Sequence, residues 1–131
     1  MPEEEPSEFE NLVELETLHD RGRTILYGVG GDPKGTPVLF FAPLGGNRRM
    51  ILPLREHLVE HSLRAICVNR PGSEGASPSS KNVRDHIEKT CSDIVAVLNA
   101  LQIDRICLLC ICAGTSFAMA FYTRHSDRVT T

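Results

Sequence analysis

The run Ile106-Cys107-Leu108-Leu109-Cys110-Ile111-Cys112-Ala113-Gly114-Thr115 constrains the fold more than any other part of the chain. A short, continuous apolar run is the mark of a strand covered on both faces. Here the strand, placed at residues 105–111, leads into the small-residue pattern Cys110-x-Cys112-x-Gly114. The segment after it, 115–125, has the composition of a helix. Strand, tight turn and helix in immediate succession form half of a parallel βα unit, and the rest of the chain has to supply partners for the strand.

Those partners can be read upstream. Residues 12–18 partly alternate, His19-Asp20-Arg21-Gly22 has turn chemistry, and Thr24-Ile25-Leu26-Tyr27 resumes a strand, which together give an antiparallel hairpin. Residues 28–35 are glycine-rich and read as a connecting loop, since they precede a strand and do not open a helix around a phosphate. Pro37-Val38-Leu39-Phe40-Phe41 is a second apolar run. Pro53 suits the first turn of a helix reaching about His61, and Arg64-Ala65-Ile66-Cys67-Val68 is the next strand. Val83, Ile87, Cys91, Ile94, Val95, Leu98 and Leu101 recur at steps of three and four, which predicts an amphipathic helix. The order β-α-β-α-β-α after the hairpin predicts an α/β fold: a mostly parallel sheet with helices on both faces, behind an N-terminal antiparallel hairpin.

Composition narrows the function classes. With 41% hydrophobic and 24% charged residues in 131, the chain has globular values and enough length for one core. A net charge of −3 and no basic stripe argue against a nucleic-acid partner. No apolar run reaches the length of a membrane span. Residues 1–10 read as a solvated acidic tail, unlike a signal peptide, and residues 11–131 as the domain. Five cysteines, an odd number, mostly in apolar runs, suggest reduced thiols in an intracellular, cytoplasmic setting; a peroxisomal one is conceivable by analogy, without a targeting signal. Cys107-x-x-Cys110 has a metal-like spacing but falls on a strand without a second pair, so no metal and no cofactor are expected.

Three loops at strand ends resemble those of the α/β-hydrolases. Ala42-Pro43-Leu44-Gly45-Gly46-Asn47 is similar to the family's His-Gly-x-x-Gly loop, with Ala42-Pro43 in place of His-Gly. Asn69-Arg70-Pro71-Gly72-Ser73-Glu74-Gly75-Ala76-Ser77 is similar to the Asp-x-Arg-Gly-x-Gly-x-Ser loop that braces the nucleophile turn. Cys110-x-Cys112-x-Gly114 resembles the nucleophile elbow Gly-x-Ser-x-Gly. The likeness extends over about residues 12–129 and over the first half of the family's domain. It looks closest to fungal hydrolases of specialised metabolism, those of host-selective toxin pathways among them.

The resemblance implies a site. Cys112 is the candidate nucleophile. Leu44 and Ala113 offer backbone N–H groups to an oxyanion, while Cys110 and Gly114 are the small residues supporting the turn. Pro43 has no N–H to add. The substrate implied is an ester, thioester or related bond of a small lipid-like or polyketide molecule. In this family the acid and histidine follow the nucleophile. Here only His125 does, and a helical rise of about 1.5 Å per residue puts it well over ~10 Å away. His57 and His61 share a helix face, His86 reads as exposed, and His19 as a turn residue. The expectation is a truncated domain whose elbow strand, central in the family, is left as an apolar edge open to self-association. The alternatives are an inactive hydrolase serving as an interaction module and, on a weaker footing, a flavodoxin-like binding domain.

Overall fold

The computed structural model describes residues 12–130. The acidic tail read at residues 1–10 lies outside the described residues. The strands are β1 (Val13–Asp20), β2 (Arg23–Gly31), β3 (Thr36–Phe41), β4 (Leu63–Val68) and β5 (Cys107–Cys110). The α-helices are α1 (Arg55–Glu60), α2 (Val83–Ala100) and α3 (Gly114–Arg124). A 3-10 helix at Arg48–Leu54 leads into α1, so Pro53 sits in the 3-10 turns just before the α-helix rather than in its first turn.

The sheet order is β1-β2-β4-β3-β5. β1 and β2 form the expected hairpin, with Val13 opposite Gly30 and Asp20 opposite Arg23. Its two-residue turn has positive φ at both Arg21 (50°) and Gly22 (77°), which suits the twist of a tight hairpin. The expectation of a mostly parallel sheet is corrected here. β2 pairs with β4 antiparallel, and only β4–β3 and β3–β5 are parallel, so the sheet is mixed. The hairpin accounts for this: once β1 turns back, its return strand β2 borders the crossover strands and meets β4 head to tail.

A second correction concerns residues 28–31, read as loop but forming the end of β2. A Cβ on Gly30 would lie 2.5 Å from the Ile51 side chain, and one on Gly31 would lie 2.3 Å from the Leu63 carbonyl oxygen. The glycines let the 3-10 helix lie directly on the sheet.

Helices cover both faces, as expected. α2 and α3 pack on one face over Ile25, Leu39, Phe41, Ile66 and Ile106, with Phe121 of α3 buried among them. The 3-10 helix and α1 cover the other, over Phe40, Ala65 and Cys67. The stripe of α2 buries Cys91, Ile94, Val97 and Leu98, and Asn82 caps its start by accepting from the Arg84 N–H at 2.8 Å. β5 is the last strand of the sheet. Beyond it, among the described residues, only Val129 pairs, by one parallel bridge to Ile106. Leu109 and Ile111 are exposed along that edge.

Candidate active site at the end of β5

β5 ends at Cys110, and after three intervening residues α3 begins at Gly114. Between them Cys112 is exposed and has φ of 51°, the left-handed region that non-glycine residues seldom adopt. The turn is closed by hydrogen bonds from Gly114 N–H to Ile111 (2.9 Å) and from Thr115 N–H to Cys112 (3.0 Å). Ile111 N–H also donates to Phe41 at 3.3 Å, which fixes the turn to the end of β3. Gly114 is required by close approach, since a Cβ there would stand 2.4 Å from the Phe41 carbonyl oxygen. Cys110 is half-buried and packs against the main core, sharing a cleft with Ala118 of α3.

Residues 43–46 form a β-turn with Gly46 N–H donating to Pro43 at 2.9 Å and Gly45 at φ 79°. Leu44, at its first corner, is 88% exposed. Among the described residues neither the Leu44 N–H nor the Ala113 N–H donates to a protein acceptor. Each is left able to donate to a bound group.

Loop 69–76 supports this end of the sheet. Arg70 donates from Nη1 to Ala42 (2.9 Å) and from Nη2 to Pro43 (2.8 Å), and its guanidinium lies 4.9 Å from the centre of the Phe117 ring in α3. Burial lowers the pKa of Arg70 from its ordinary value. Asn69, buried, accepts from the Arg48 N–H at 2.7 Å and donates to Glu74 at 2.9 Å. The other oxygen of Glu74 accepts from Arg49 Nε at 2.7 Å. The hydrogen bonds from Asn69 and Arg49 hold the Glu74 carboxyl below its ordinary pKa.

No histidine is hydrogen-bonded to Cys112 among the described residues. His125 caps the far end of α3 against Phe121. His57 and His61 are exposed on and just beyond α1, with His57 3.7 Å from Glu60, and His19 lies on β1 near Thr24. His86 is not exposed as expected. It is half-buried, with its ring against Phe117 and Nδ1 2.8 Å from Ser79 Oγ. Asp93 is 3% exposed and makes two 2.8 Å bonds to Arg23, a pair that helix periodicity does not announce. Among the described residues no group of three or more His, Cys, Asp or Glu is placed to hold a metal. A groove of about 710 Å³ runs beside α2, bordered by Arg21, Lys89 and Arg124, and neither Cys112 nor Leu44 lines it.

No protein-family model matches the chain. Over 118 residues it is 30% identical to the uncharacterised hydrolase YcgS of Bacillus subtilis (strain 168), covering 89% of this chain and 39% of that protein. A hydrolase from Pseudomonas aeruginosa matches in structure with a TM-score of 0.74 at 17% identity, over 88% of this chain and 43% of its own. An epoxide hydrolase from Vigna radiata matches with a TM-score of 0.69 at 18% identity, over 91% and 37%. A CIB-like hydrolase from Thermoplasma acidophilum matches with a TM-score of 0.72 at 14% identity, over 89% and 59%. The described residues therefore have an α/β-hydrolase-like fold, and the relative found by sequence is a hydrolase. The chain spans less than two thirds of the length of each of these proteins. No helix among the described residues is long and apolar enough to cross a membrane.

Proposed function

We propose that this chain carries the nucleophile and oxyanion hole of an α/β-hydrolase acting on an ester, thioester or related acyl bond. The observation that carries the reading is Cys112, exposed at φ 51° on a turn pressed against Phe41 through Gly114. In this reading the Cys112 thiolate attacks the carbonyl carbon and forms a C–S bond. The carbonyl electrons move to oxygen, where the N–H groups of Leu44 and Ala113 hold the negative charge. The charge then returns, the bond to the leaving oxygen or sulfur breaks, and water later releases the acid. The general base is not among the histidines described, none of which is bonded to Cys112. Cys112 argues against epoxide opening through an ester intermediate, for which a carboxylate would stand at the elbow. The substrate proposed is a small lipid-like or polyketide molecule, as in fungal toxin biosynthesis, on the general likeness of the whole sequence pattern to fungal hydrolases of specialised metabolism.

The test is acylation by p-nitrophenyl acetate followed by intact mass and peptide mapping. One acetyl group on Cys112, saturable with ester concentration and absent in Cys112→Ala, is expected. Slow, even labelling of Cys107, Cys110 and Cys112 would sink the reading.

A second reading is favoured by the exposed apolar side chains Leu109, Ile111, Met119 and Tyr122 on β5, its turn and α3. In it the chain is an inactive hydrolase that self-associates through the β5 edge. Concentration-dependent sedimentation, abolished by Leu109→Lys, would support it.

A further inference from the structure

We infer that loop 69–76 positions the Leu44 N–H by gripping its loop at both ends, an inference that rests on the acyl-transfer reading above. An oxyanion donor contributes only when held within hydrogen-bond distance of where the charge develops, about 2.7–3.1 Å. Leu44 has no packing to hold it there, for its side chain is almost wholly in solvent. What holds its backbone is polar, and much of it comes from one neighbouring loop.

At the entry, the Arg70 fork takes the carbonyl oxygens of Ala42 and Pro43, the two residues before Leu44. A planar guanidinium supplies two such donors at fixed spacing, and an ammonium does not. The same guanidinium rests on Phe117, in the first turn of the helix that follows Cys112. Arg70 thus sets the oxyanion loop and the elbow helix against a common reference. At the exit, Asn69 accepts from the Arg48 N–H and Glu74 binds the Arg49 guanidinium, four and five residues after Leu44. Asn69 and Glu74 are also bonded to each other, which joins the two grips on the exit side into one unit. Gly72 has φ of 84°, Glu74 of 54° and Gly75 of 92°, so the bracing loop turns back through three positive-φ residues to bring its side chains to bear. Strain of this kind persists only where surrounding contacts hold it.

The test compares two reactions of one thiol. Acylation of Cys112 by p-nitrophenyl acetate forms a C–S bond, passes through a tetrahedral oxyanion and expels p-nitrophenolate. Alkylation by iodoacetamide forms a C–S bond and expels iodide with no oxyanion. The ratio of the two rates at Cys112 therefore reads the hole and cancels the thiolate fraction. Arg70→Met should lower the ratio at least tenfold, Arg70→Lys should recover part of it, and Glu74→Ala should lower it about threefold. An unchanged ratio in Arg70→Met and Glu74→Ala overturns the clamp and leaves the role of Cys112 standing. Should wild-type Cys112 show no acylation advantage over Cys107, the acyl-transfer reading fails. The clamp is then judged by amide hydrogen exchange of residues 42–49, which Arg70→Met must speed at least tenfold and whose constancy overturns it. If Arg70→Met does not fold, Glu74→Ala, an exposed position, supplies both readouts.

Discussion

Cysteines stand near the ends of β4 and β5, on either side of β3, and the structure treats them in opposite ways. Cys67 lies inside the regular part of β4, 1% exposed, and burial pushes its thiol up to about 12, against the smaller opposing influence of the Arg70 charge and a hydrogen bond to the Ala42 backbone. Cys112 lies past the end of β5, exposed, on backbone that has left the strand. In a strand, alternation dictates which side chains face the core. At a left-handed residue that alternation stops, and the side chain is delivered outward. Two residues of one type thus differ in exposure because one lies within a strand and the other at a left-handed turn.

The sharpest way to break this contrast is differential labelling. At pH 8 about one Cys67 in ten thousand is thiolate, given a pKa of about 12, and it is also shielded. Peptide mapping after a short iodoacetamide pulse should find Cys112 modified at least ~1,000-fold faster than Cys67. Comparable rates would mean that β4 opens readily.

The next effect is on stability at high pH. The unfolded chain loses the Cys67 proton near 9.0, whereas the folded protein keeps it to about 12. Below pH 9 both states hold the proton and nothing changes. Between 9 and 12 the unfolded state binds fewer protons, so stability should fall by about 1.4 kcal/mol per pH unit. Urea titrations of wild type and Cys67→Ala should differ in slope over that window, and parallel curves would remove the burial argument.

Gly114→Ala tests the other side of the comparison. Its Cβ would meet backbone oxygen, which cannot swing aside as a side chain can. A loss of about 3 kcal/mol is expected from overpacking, together with loss of preferential Cys112 labelling. A neutral result would show that the elbow relaxes and that φ at Cys112 is not imposed by the Phe41 contact. The smallest effect is at the rim: Met119→Lys, on an exposed helix position, should shift thermal stability by no more than about 0.5 kcal/mol. A larger loss would mean that the exposed face of α3 contributes to the fold.

Much of this was legible in the residues. β3, β4, α2 and α3 were placed within a few residues, because Val38–Phe41 is a short apolar run flanked by Pro and Gly and the Val83–Leu101 stripe keeps helical spacing. The end of β2 was missed because glycine has no β preference, and its reason for being there, the approach of Ile51, comes from another element. The antiparallel β2–β4 pairing was missed because local patterns do not say which strands become neighbours. At the site, Cys112 and Gly114 were marked by the small-residue turn. The Asn69–Glu74–Arg49 network was not, since it ties Glu74 to Arg49 across 25 residues, a separation that no local pattern couples. His86 looked exposed because its partner, Phe117, lies on another helix.

One side chain near the sheet edge has a consequence for fidelity. Arg128 donates from Nε to Asp104, from Nη1 to Asn99 and from Nη2 to Ile103, just before Val129 meets Ile106. Strand pairing tolerates no slip of one residue where one face is buried, because every side chain would change sides. Val129 is buried, and a slip would turn it to water while pulling the Arg128 guanidinium off three acceptors together. Arg128 thus acts as an indexing pin, holding the one register in which Ile106 N–H donates to the Arg128 carbonyl at 2.9 Å and Thr130 N–H donates to the Ile106 carbonyl at 3.0 Å.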